Sequence, residues 1–188
     1  GLVGSEMCIR DSVMGDLDRD GFDDVVSVHE SDSTYDSTVP GETSPAMGHV
    51  RIAFGTSDPE KWVNITLAQG ADASAAEDAA IADVNGDGFL DVMVAAELSH
   101  LIYLQNPGSD VRSRPWDRVI LPMTQGRGSY IRVFLADLNG DGVPEAIAPN
   151  KGAQRPTVND YRRSTPASIY QFSGDPLVGS NWMEIELG

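Results

Sequence analysis

Asp16-Leu17-Asp18-Arg19-Asp20-Gly21-Phe22-Asp23-Asp24 places side-chain oxygens at positions 1, 3, 5 and 9 of a nine-residue stretch, with glycine at position 6. The pattern returns as Asp83-Val84-Asn85-Gly86-Asp87-Gly88-Phe89-Leu90-Asp91 and as Asp137-Leu138-Asn139-Gly140-Asp141-Gly142-Val143-Pro144-Glu145. Such spacing suits a hard cation that takes six to eight oxygens: three short side chains from one side of a tight loop, a carbonyl at position 7 and a closing acid. The glycine supplies the permissive backbone that folds the loop back on itself.

The residues around each loop decide its context. A calcium-binding helix-loop-helix hand needs a bidentate Glu at position 12. Here position 12 is Ser27, Val94 or Ala148. Short apolar runs follow instead, Val25 to Val28, Val92 to Ala95 and Ala146 to Ala148. Apolar residues also lead in, ending at Gly15, Ala82 and Ala136. Each loop therefore joins two short strands. In these residues the chain resembles the FG-GAP/VCBS repeat family, the calcium-loop β-propellers that include the integrin α-subunit head. The resemblance spans nearly all of residues 13 to 188.

Each repeat reads as four strands, and the three tryptophans set the register, since Trp62, Trp116 and Trp182 each open a fourth strand. Their identical placement points to packing against neighbouring blades rather than sugar stacking. The first repeat runs from the strand remnant Val13-Met14-Gly15 through Val25 to Val28, His49 to Phe54 and Trp62 to Leu67. The second uses Ala79 to Val84, Val92 to Ala95, Leu101 to Leu104 and Trp116 to Leu121. The third uses Tyr130 to Leu138, Ala146 to Ala148, Ser168 to Phe172 and Trp182 to Leu187, with Pro149 expected to stop its second strand. Loop starts lie 67 and 54 residues apart and no segment keeps a 3.6-residue period, which fits propeller blades. The expected fold is all-β, a partial β-propeller of three four-stranded antiparallel blades at 13–77, 78–129 and 130–188. Propellers close with about four to eight blades, so the three read as a fragment of a larger ring of roughly six to eight.

Residues 1–12, Gly1 to Ser12, fall outside the pattern. They look like a translated sequencing adapter, of the kind found at the ends of metagenomic gene predictions, and are set aside from the fold reasoning. On that reading the natural chain extends upstream and Cys8, the sole cysteine, is foreign to it. The remainder offers no disulfide and no thiolate site. No apolar run approaches the roughly 18 residues of a membrane span.

The chain carries 13 basic against 29 acidic residues, a net charge of −16, and 11 of those acids sit in the three loops. Much of the acidity is thus accounted for by metal ligation, and three divalent ions would bring −16 to −10. An acidic surface disfavours nucleic acid, whose affinity rests on Lys and Arg meeting phosphates.

The candidate calcium ligands are Asp16, Asp18, Asp20 and Asp24; Asp83, Asn85, Asp87 and Asp91; and Asp137, Asn139, Asp141 and Glu145. The carbonyls of Phe22, Phe89 and Val143 complete the sets, for up to three structural Ca²⁺. Without an ion, three or four carboxylates in one turn repel each other. On charge count the first loop, with four carboxylates, is expected to bind tightest. In the third, Pro144 stiffens the approach of the longer Glu145.

No catalytic residues stand out. His29, His49 and His100 are isolated, and no nucleophile motif or phosphate-binding glycine loop is present. Two polar stretches, 30–48 and 150–167, read as surface loops and are the candidate contacts for a glycan or protein ligand. The second holds the one local basic cluster, Tyr161-Arg162-Arg163. The favoured reading is a non-enzymatic module for adhesion or carbohydrate/protein recognition, beside the remaining blades of its own chain. The family resemblance implies a bacterial extracellular, periplasmic or cell-surface setting. The alternative is the propeller part of a polysaccharide lyase or hydrolase-type enzyme, whose catalytic residues lie largely in blades outside this sequence.

Overall fold

The apolar runs beside each loop pair as antiparallel strands because each loop reverses the chain after only nine residues. The computed structural model describes residues 9–29, 48–97, 100–127, 129–153, 157–162 and 164–187. The first sheet contains β1 (Ile9–Gly15), β2 (Asp24–His29), β3 (Gly48–Phe54) and β4 (Val63–Gly70). The second contains β5 (Ala76–Ala82), β6 (Asp91–Ala96), β7 (His100–Gln105) and β8 (Asp117–Ile120). The third contains β9 (Phe134–Ala136), β10 (Glu145–Asn150), β11 (Thr165–Phe172) and β12 (Trp182–Glu186). Every sheet is an antiparallel meander in which sequence neighbours pair. The expected all-β architecture of three four-stranded blades is what forms.

The same apolar row crosses each sheet in register. It runs Val13, Val26, Ile52, Ile65 in the first, and Ala80, Met93, Tyr103, Val119 in the second. In the third it runs Phe134, Ile147, Ile169, Ile185. Alternation along a strand sends these residues to one face and their neighbours to the other. Val26 and Ile52 share a core with Val92, Val94, Ile102 and Leu104, from the opposite face of the second sheet. Met93 and Tyr103 share another with Ala146, Tyr170 and Trp182 of the third. The middle sheet is covered on both sides, and β6 is buried along its whole length.

The innermost strands sit side by side, β1 against β5 and β5 against β9. They line a cavity of about 410 Å³. Asp11, Asp78 and Arg132, which occupy the same register position in the three repeats, all line it. Gly15 packs close to the next sheet: a Cβ there would lie 2.6 Å from Ile81 Cδ1 and would push that side-chain end aside.

Several boundaries differ from the sequence expectation. β1 extends back over Ile9 to Ser12, within the segment set aside, and Asp11 and Ser12 pair with Val28 and Ser27. Ladder bonds are made by the backbone, so whatever side chains precede Val13 can complete the edge of β2. β4 and β8 begin one residue after Trp62 and Trp116. Pro149 does not end its strand: β10 passes through it to Asn150, with the register shifting between Ala148 and Asn150. A bulge of this kind accommodates a residue that cannot donate to the ladder. Tyr130 lies outside β9 but bridges to Asn150.

The tryptophans do not share one environment. Trp116 and Trp182 are 3% and 4% exposed, whereas Trp62 is 36% exposed. Trp182 stacks at 5.9 Å on Tyr103 of the preceding sheet, and Trp116 belongs to the core shared with the first sheet. Among the described residues no sheet precedes the first, so Trp62 lacks the equivalent wall. Residues 30–47 of the first long polar stretch lie outside the described residues. The second stretch carries one helical turn, α1 (Val158–Tyr161), and ends where β11 begins at Thr165. Arg163 of its basic cluster also lies outside the described residues.

Candidate metal centre

The three loops link β1 to β2, β5 to β6 and β9 to β10, so each blade carries its loop at the same place. Their internal hydrogen bonds repeat. The position-1 carboxylate accepts from the position-6 glycine N–H: Asp16 from Gly21 at 3.0 Å, Asp83 from Gly88 at 2.8 Å, Asp137 from Gly142 at 2.9 Å. The position-3 side chain accepts from the position-5 N–H, as in Asp18 to Asp20, Asn85 to Asp87 and Asn139 to Asp141. The position-5 carboxylate accepts from the position-7 N–H, at Phe22, Phe89 and Val143. The side-chain oxygens are thereby turned inward while the N–H groups of the turn are satisfied.

The glycines at position 6 have φ of 90°, 88° and 88°, a region that favours glycine. Position 4 is also left-handed. Gly86 and Gly140 fill it in two loops, but Arg19 fills it in the first at φ 62°. The Arg19 side chain crosses to the second blade, donating to the Gly88 carbonyl and lying 4.5 Å over the Phe89 ring.

Position 9 is the most buried part of each loop. Asp24 and Asp91 are fully buried and Glu145 nearly so. In each, one oxygen accepts from the position-2 N–H: Leu17 at 2.8 Å, Val84 at 3.1 Å, Leu138 at 2.8 Å. The other oxygen of Asp24 accepts from Gly55 N–H and that of Asp91 from Asn106 N–H, both at 2.8 Å. These carboxylates tie the loop to the hairpin between the third and fourth strands of the same blade. Glu145, one methylene longer, turns back to accept from Asn139 Nδ2 at 2.6 Å. Asn106 also joins two blades, donating from Nδ2 to the carbonyls of Leu17 and Leu90.

Burial acts on Asp24 and Asp91. It raises Asp24 above the usual carboxylate range, against donors at Gly55 and Leu17. It pushes Asp91 up to about 6, although Asn106 N–H, the Tyr103 hydroxyl at 2.8 Å and Val84 N–H all favour the charged form. Asp78, which receives Val133 N–H at 2.8 Å across the second and third sheets, is likewise raised to about 6, chiefly by burial.

Two observations bear on an ion. Oxygens of Asp16, Asp18 and Asp24 lie within 4.8 Å of one another, which brings together three of the four side chains expected in the first loop. The fourth, Asp20, points its Oδ2 to Arg112 at 3.0 Å. In the second loop, Asp83 Oδ1 is buried without a hydrogen-bond partner. A buried carboxylate oxygen with no donor is expensive to leave so. The donor set, carboxylates and amide oxygens only, suits a hard divalent cation.

A sequence profile of the FG-GAP-like repeat matches residues 16–94 and 83–148. The chain belongs to the FG-GAP-like repeat family. The two matches start at the first and second loops and run on to the strands after the second and third. Comparison with curated proteins gives no match. This FG-GAP-like repeat module holds no helix long and apolar enough to cross a membrane among its described residues.

Proximity in sequence made the clustering of the loop carboxylates and amides readable. It gave no hint of Gly55, Asn106, Tyr103 or Arg112, which reach the loops from strands and turns far along the chain. The one available signal was a turn residue after each third strand, Gly55 and Asn106, and nothing in its type marks it as a donor.

Proposed function

We propose that this chain is a calcium-stapled propeller module of a bacterial protein exposed outside the cytoplasm, serving adhesion or carbohydrate/protein recognition. The observation that carries the calcium reading is the buried, partnerless Asp83 Oδ1, set in a loop whose remaining carboxylates are organised as in its two counterparts. Bound at the loops, Ca²⁺ would neutralise clustered carboxylates and cross-link the turn to the closing acid. Asp83, Asn85, Asp87, the Phe89 carbonyl and Asp91 would hold it in the second blade, with equivalent sets in the others. The recognition reading is supported by the sequence, in which the polar stretches 30–48 and 150–167 fall largely between the second and third strands of the first and third sheets.

Thermal unfolding in excess chelator, in about 2 mM Ca²⁺ and in Mg²⁺ tests the metal. At affinities typical of extracellular calcium modules, each site adds about 0.6–1.8 kcal/mol. The expected result is a Ca²⁺-specific rise in midpoint that shrinks in Asp83→Asn. A midpoint indifferent to Ca²⁺ would refute the metal reading. Replacing both long connections with short turns tests recognition, and retained ligand binding would sink their role.

A further inference from the structure

The first loop differs from the other two at one ligand position and in what stands over it. At position 3 the second and third loops carry Asn85 and Asn139. Each amide donates from Nδ2 to the position-5 carboxylate, Asp87 or Asp141, at 3.0 Å. The first loop carries Asp18 there, which has nothing to donate, so Asp18 and Asp20 bring two like charges together. The missing donor comes from the second blade. Arg112, in the segment before β8, donates from Nε and Nη2 to Asp18 Oδ2 and from Nη2 to Asp20 Oδ2. Its guanidinium is braced 4.9 Å over the Phe54 ring, and the Asp18 side chain is only 7% exposed beneath it.

Counting ligand carboxylates and any arginine bonded to them, the first loop carries −3, the same as the second and third; Arg19 reaches the second loop only at the Gly88 carbonyl and the Phe89 ring. The extra acid at position 3 is therefore matched by a cation supplied from the neighbouring blade. A divalent ion entering the first loop meets that positive charge and needs oxygens that the guanidinium already engages.

We propose that Arg112 is the resident counter-cation of the first loop and sets its calcium affinity, holding it at or below that of the other two loops despite the fourth carboxylate. This rests on the reading of the loops as calcium sites. The amide resonances of Gly21, Gly88 and Gly142, one in each loop, report the three sites separately in a Ca²⁺ titration of the full chain followed by NMR. Arg112→Gln tightens binding at Gly21 about three- to tenfold and leaves Gly88 and Gly142 unchanged. Arg112→Lys, which keeps the charge without the fork, falls between. Asp18→Asn combined with Arg112→Gln recreates the pattern of the other loops and brings Gly21 to within about threefold of Gly88. Binding at Gly21 that is unchanged or weaker in Arg112→Gln, with Gly88 and Gly142 still responding, overturns the role of Arg112 and leaves the calcium sites standing. No Ca²⁺ response at any of the three glycines, in either protein, overturns both.

Discussion

The second and third sheets carry the same apolar row in the same register, yet one is interior and the other partly surface. Met93 and Tyr103 of the middle sheet are fully buried, whereas Phe134 and Ile185 of the third are 57% and 43% exposed. The sequence pattern of a blade thus prescribes which face is apolar, and a neighbouring blade determines how much that face contributes to stability. Repeat architectures behave in this way because a single unit cannot bury its own hydrophobic face.

The largest break in that comparison comes from truncating equivalent residues of the two rows. Met93→Ala removes a side chain closed in on both sides and should cost about 2–5 kcal/mol in denaturant unfolding. Ile147→Ala, at the same position of the third sheet, should cost less, about 1–2 kcal/mol, since its side chain is only partly buried. Equal losses would show that the third face is covered in solution.

Next in size is Asp91→Ala, which strands Val84 N–H, Asn106 N–H and the Tyr103 hydroxyl in the buried middle blade. A loss of about 1–3 kcal/mol is expected even in excess chelator. Asp87→Asn in the same loop should leave stability in chelator nearly unchanged and lower only the calcium increment. If the two variants behave alike in chelator, the closing acid is no more than a ligand.

Arg19→Gly should lie within about 1 kcal/mol of the parent in either direction. It relieves a left-handed conformation that the other loops give to glycine, but gives up the bond to the Gly88 carbonyl and the contact with Phe89. Chemical unfolding of this variant beside the parent measures the balance.

A separate handle on the buried acids is pH. Asp78 and Asp91 are raised in the folded state to about 6 from 3.8. Their contribution is therefore fully present below 3.8 and is lost as pH rises through about 6. In chelator the midpoint should be higher at pH 5 than at pH 7.5, by about 5–10 °C for a chain of this size if each acid loses about 1.4 kcal/mol over that interval. Asp78→Asn should flatten that slope, and a midpoint that climbs with pH over this interval would contradict the burial assigned to both acids.

Much of the fold was legible because the decisive chemistry is local. Nine residues fix each turn, and the apolar runs beside it declare the strands. Legibility ended wherever a property belonged to a partner. Trp62 has the same sequence setting as Trp116 and Trp182, and only the absence of a preceding sheet among the described residues leaves it exposed. Pro149 looked like a strand terminator, but a bulge let β10 continue past it. Charge count alone ranks the first loop tightest, and that count takes no account of Arg112, which contacts Asp18 from 94 residues away and is invisible to local reading.

The meander order of the strands bears on how the molecule assembles during synthesis. Every sheet pairs only strands adjacent in the chain, so a blade can close as soon as its fourth strand has left the ribosome. Trp116 and Trp182 then pack against a blade already made, never against one still to come. The pairing order thus permits vectorial growth, in which each sheet offers the apolar face that the next one covers.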